Sequence, residues 1–114
     1  MKIMHFSEMA AQPVEMEGAE KVSVRWLISA KDGAPHFAMR LFELEEGGYT
    51  PLHAHNSEHE VFIIEGNGAL NRNGEEVSLV QGTAVYIQPG EMHQFINKGR
   101  NPFKFLCMIP NPKI

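Results

Sequence analysis

Turn-forming residues cut this chain into segments too short for helices. Its 114 residues carry ten glycines and seven prolines spread from end to end, and no stretch sustains a helical period of apolar residues. Between these breaks lie short strand-like runs. Val22 to Ser29 holds the single tryptophan, Trp26, and is followed by the turn Lys31-Asp32-Gly33-Ala34-Pro35. His36 to Leu44 is the next candidate, ended by Glu45-Glu46-Gly47-Gly48, and Glu60 to Glu65 is an apolar run closed by Gly66-Asn67-Gly68. Residues 69–72 and 75–80 flank Asn73-Gly74, a strong hairpin signal. Ala84 to Ile87, His93 to Asn97 and Phe103 to Ile109 complete the set. About nine or ten short antiparallel strands must hide their edges by closing on themselves or by packing two sheets, which predicts an all-β jelly-roll barrel.

The chain has room for one core. An arm rich in Met and Glu, residues 1–20, is expected to precede a barrel domain at residues 21–114. With 43% hydrophobic and 21% charged residues the sequence reads as globular. A net charge of −4, with Lys and Arg scattered and outnumbered, argues against nucleic acid and anionic membrane as partners. The lone Cys107 has no partner for an internal disulfide, and the start MKIMHFSEMAAQ lacks the apolar stretch of a signal peptide, so a cytoplasmic location is expected.

Chemistry concentrates between Gly47 and Glu60. In an extended strand residues i and i+2 share a side, so His53 and His55 project into one space with Ala54 turned away. A three-residue loop can return His59 to that side, and His93 arrives from a later strand after the Pro89-Gly90 turn. Four imidazoles in that pattern suit zinc, copper, iron or nickel, and hold manganese when availability favours it. Ordinary surface or core histidines would seldom combine in this way. Glu60 stands beside His59, but strand alternation lets only one of the pair face inward.

The same residues resemble the cupin motifs. The first motif reads Gly47, five residues, His53-Ala54-His55, then His59 in the position usually held by glutamate, then six residues to Gly66. The second reads Gly82, Pro89, Gly90, His93 and Asn97, with the proline displaced by one place. Counting back from Gly66 favours His59 over Glu60 as the ligand. Residues 22–110 are similar to the small single-domain four-histidine cupins known as manganese-binding proteins. That resemblance implies a double-stranded β-helix barrel, one divalent metal ion with manganese foremost, a homodimer and a small-molecule substrate or ligand. It also implies that Phe105 and Cys107 lie near the metal.

Neutral donors leave the full charge on the ion, so a four-histidine site is more Lewis acidic than one with three histidines and a glutamate. Open coordination positions point to catalysis; a closed structural zinc is usually cysteine-rich and props up a coreless fold. If Lys104 faces water, then Phe103, Phe105, Cys107 and Ile109 face inward. Phe95 shares the side of His93, and Arg40, set among apolar residues, binds a carboxylate if it points in. These residues predict a largely apolar pocket. An oxygenase or dioxygenase acting on a small organic molecule is the leading expectation. A non-redox isomerase or lyase on a sugar acid or other carbonyl compound, and a ligand-binding or sensing module, are the alternatives.

Overall fold

The computed structural model describes residues 1–112. Nine strands form one curled antiparallel sheet: β1 (Gln12–Pro13), β2 (Glu20–Ile28), β3 (Phe37–Tyr49), β4 (His59–Glu65), β5 (Asn67–Arg72), β6 (Glu75–Val80), β7 (Ala84–Ile87), β8 (Gln94–Asn97) and β9 (Phe103–Pro110). The order β6-β5-β8-β3-β9-β4-β7, with β2 and then β1 branching from β3, is the jelly-roll barrel that the turn spacing predicts. No helix is long and apolar enough to cross a membrane among the described residues.

The longest strand departs from expectation. Gly47-Gly48 does not end β3 but kinks it: β2 and β3 pair at Val22↔Leu44, then slip to Glu20↔Tyr49. Gly47 has a φ of +79°, and a Cβ on Gly48 would lie 2.8 Å from the Glu45 carbonyl oxygen. A bulge of this kind needs residues without side chains, so the pair that reads as a turn continues a bent strand. The bend lets β3 serve two neighbours besides β2, pairing Phe37 to Leu44 with β9 and Tyr49 with β8. By contrast, the Asn73-Gly74 hairpin forms as predicted, both residues having positive φ and Arg72 pairing with Glu75.

The N-terminal arm joins its own barrel. Gln12 and Pro13 pair with Val24 and Ser23, and the Arg25 Nε–H donates to the Met9 carbonyl at 2.9 Å. The expected boundary after residue 20 therefore falls just inside β2, and Val14 packs on the core.

That core sits between β4, β9 and the bent β3, with Leu44, Ile63, Phe103 and Phe105 almost fully buried. Alternation along β9 turns Phe103, Phe105 and Cys107 inward, as Lys104 facing outward requires; Lys104 instead approaches Glu43 at 3.4 Å. Phe105 is sandwiched between the rings of Phe95 and Phe42, with centroids 4.5 and 5.3 Å away. These offset stacks add to the area they bury.

Gly66 closes this core. Its φ is +89°, and a Cβ there would sit 2.5 Å from the Pro102 carbonyl oxygen and 3.0 Å from Phe103 Cα. Gly66→Ala is expected to destabilise the fold by about 1–3 kcal/mol through strain and overpacking. A shift in the urea midpoint at constant slope would register it.

Candidate metal centre

Two backbone hydrogen bonds create the site. The His53 N–H donates to the His93 carbonyl at 3.1 Å and the His93 N–H returns the bond at 2.9 Å, an isolated antiparallel bridge between segments forty residues apart. Thr50 extends the same clamp, its N–H donating to Phe95 O at 2.9 Å and its Oγ1 accepting from Phe95 N–H at 2.8 Å. The Gly90 N–H then donates to the His55 carbonyl, tying the Pro89-Gly90 turn to the histidine segment at 2.6 Å. Such pinning orders a stretch that has no regular strand of its own.

The clamp brings the predicted rings together. Donor atoms of His53, His55 and His93 all lie within 4.8 Å of one another, a spacing that one ion can bridge with small side-chain movements. Ala54 points out, as alternation requires. His59, at the start of β4, is not in that trio, but its ring centroid is 4.7 Å from His55 and 5.2 Å from His93. It is buried while Glu60 is exposed, so the register inferred from Gly66 is the one the strand adopts.

The donor chemistry fits a cation. The His93 Nδ1–H donates to the Glu91 carbonyl at 2.9 Å, which leaves Nε2 with its lone pair free. His59 Nε2 is buried with no hydrogen-bond partner, an expensive state for a polar atom unless an ion or its water completes it. Burial foremost, and the charges of neighbouring imidazoles after it, push His53 down to about 4. Burial and then the Arg40 guanidinium push His59 down to about 3. Burial also lowers His55, so the rings are held neutral and ready as ligands.

Beside the imidazoles lies a cavity of about 240 Å³. Phe95, Phe105, Cys107 and Arg40, all expected there, line it. Ile109 does not. It sits one pleat beyond Cys107 along β9, past the end of the cavity, in a shallow groove with His36, Phe37 and Glu60. Sequence reasoning missed Trp26, Thr50 and the arm residues Val14 and Met16, which supply much of the wall. The i, i+2 spacing of Val14 and Met16 was the available signal.

Arg40 points inward and is held there by packing. Its guanidinium carbon stands 4.8 Å from the Phe42 ring centroid and 5.3 Å from that of Trp26, while one amino group reaches Cys107 Sγ at 3.0 Å. Burial pushes the Cys107 thiol up, partly offset by Arg40, in keeping with an unreactive sulfur.

Comparison with known proteins places this geometry. The family model described as Cupin domain matches residues 40–109. An oxalate-binding protein of Thermotoga maritima is 32% identical over 96 residues, which cover 81% of this chain and 78% of that protein. The tetracenomycin polyketide synthase protein TcmJ of Streptomyces glaucescens is 31% identical over 77 residues, 63% of this chain and 52% of TcmJ. The structure of the polyketide cyclase RemF from Streptomyces resistomycificus superposes with a TM-score of 0.93 at 33% identity, covering 98% of this chain and 80% of that one.

Neutral histidines in the fold carry a stability signature. His53 and His59 stay unprotonated down to about 4 and about 3 when folded, but take up protons near 6.5 when unfolded. The unfolded state thus binds more protons within that window, and stability of the metal-free protein is expected to fall as pH drops from about 6.5 towards 4. Urea titrations across that range check it, with a flatter slope expected for His59→Gln.

Proposed function

The chain belongs to the cupin domain family, and on that premise we propose that it holds one divalent metal ion on His53, His55, His59 and His93 and acts on a flat, largely apolar, carbonyl-bearing small molecule. The observation that carries this reading is the polarity of the cavity: imidazoles cluster on one side while Val22, Val24, Trp26, Phe42, Phe95 and Phe105 form the other walls. A ligand matching it is mostly hydrocarbon with an oxygen at the end that meets the histidines. Likeness to RemF and TcmJ supports a polyketide-like compound.

A bound divalent ion supplies Lewis acidity that polarises a carbonyl oxygen. The residues do the remaining work. Phe95, Phe105 and Phe42 form a stacked wall against which a planar ring system can lie, and the arm residues Val14 and Met16 extend the apolar lining. An oxalate-sized dianion suits the space poorly, because it would meet the histidine end and leave the apolar walls of Val22, Val24, Trp26 and Phe42 uncovered. Manganese is the ion implied by the motif resemblance, although at equal availability an all-imidazole set binds it less strongly than the later first-row metals. Apolar walls serve an oxygenase equally well, so dioxygen consumption separates the two chemistries.

Elemental analysis of protein purified under metal-poor conditions and reloaded is expected to give one ion per chain. His59→Ala and His93→Ala should each weaken binding by more than the roughly 10–100-fold that loss of a supporting group costs, with Glu60→Gln near wild type. Unchanged stoichiometry in both alanine variants would remove the four-histidine assignment. With an aromatic 1,3-diketone as probe, the loaded protein should shift the near-ultraviolet spectrum towards the enolate without consuming dioxygen. Uptake coupled to turnover would transfer the assignment to an oxygenase.

A further inference from the structure

The surroundings of His59 raise a question of proton placement. Two groups stand within reach of its Nδ1: Cys107 Sγ at 3.2 Å and an Arg40 amino nitrogen at 3.4 Å. A guanidinium has donors and no acceptor. If Nδ1 accepts from Arg40, the ring proton sits on Nε2, a buried atom with no partner, in a ring whose centroid is 4.7 Å from that of His55 and 5.2 Å from that of His93. That arrangement orphans a donor and removes the lone pair a metal needs. If the proton sits on Nδ1, the acceptor within reach among the described residues is the Cys107 sulfur.

We propose that Cys107 is the positioning residue of the fourth ligand: its Sγ accepts the Nδ1–H of His59 and so keeps the Nε2 lone pair directed into the site. Arg40 completes the arrangement beside the ring, its amino nitrogen, Cys107 Sγ and His59 Nδ1 forming a compact triangle. One of its N–H groups donates to the same sulfur at 3.0 Å, while the Phe42 and Trp26 rings hold its guanidinium in place. The strands enforce this geometry, because Arg40 pairs with Cys107 across β3 and β9, and Cys107 with Val61 across β9 and β4, two residues from His59. A histidine ligand normally gives its second N–H to a carboxylate or a carbonyl, as His93 does to Glu91. At His59 a sulfur takes that part.

The inference rests on the metal reading of the cavity for its purpose, but the tautomer is measurable without a metal. In wild-type protein at neutral pH and free of metal, long-range 1H–15N correlation spectra are expected to show the His59 proton on Nδ1. A proton on Nε2 would overturn the proposal, whatever the metal content. Cys107→Ala should move the proton towards Nε2 and weaken zinc binding, measured by chelator competition, by about 10-fold or more. Cys107→Ser, which restores an acceptor, should recover most of that affinity. Equal affinity in wild type and both variants, with the His59 tautomer unchanged, would also overturn it. Failure of the wild type to bind zinc, with the proton still on Nδ1, would count against the metal reading while leaving the hydrogen bond established.

Discussion

The paired backbone bonds between His53 and His93 are the constraint on which the site depends. A loop that carries two of the clustered histidines gains no order from its own sequence, since its conformational entropy favours spread rather than convergence. Bridging it to the start of β8 fixes two rings at once, and the Thr50–Phe95 bonds extend that register into the core. Phe95 then transmits the position of the bridge, because its ring stacks on Phe105 and Phe105 on Phe42. Histidine cluster and aromatic wall are parts of one packed assembly. A disturbance of the bridge is felt in the pocket, and the reverse holds too.

Local signals made much of this legible. Alternation allowed only one of His59 and Glu60 inward, the count to Gly66 chose His59, and alternation put Phe105 and Cys107 inward, because a strand with one buried face has only one workable register. Asn73-Gly74 announced its hairpin through backbone chemistry alone. Features that depend on long-range pairing were harder to read. Gly47-Gly48 has the composition of a turn, and only the partner strand reveals a bulge. Asn97 fits the motif as a residue near His93, yet its buried amide donates to the Leu44 and Asn101 carbonyls, so it ties β8 to β3 and to the following loop and is not among the cavity's lining residues. The arm reads as a segment that precedes the barrel, and Val14 and Met16 gain their meaning only from the cavity they line. Ile109 was misplaced because alternation fixes a side and says nothing about where along the strand the cavity ends.

Charge balance narrows the chemistry further. In the proposed four-histidine site, neutral imidazoles would leave the charge of a bound ion uncompensated, and Arg40 adds another positive charge within a mostly apolar space. No Asp or Glu side chain lines that cavity among the described residues. In a low-dielectric pocket such an excess favours whatever brings negative charge with it. A neutral hydrocarbon would gain only burial. A carbonyl compound that develops charge on oxygen gains electrostatic stabilisation as well, and gains most at the point where that charge is greatest. The guanidinium is fixed between two aromatic rings before any ligand arrives, so little reorganisation is needed when charge develops. The apolar walls strengthen this effect by excluding the water that would screen it. An enolisable, ring-shaped carbonyl compound meets both demands, offering an extended apolar face to the phenylalanine stack and an oxygen anion to the histidine end.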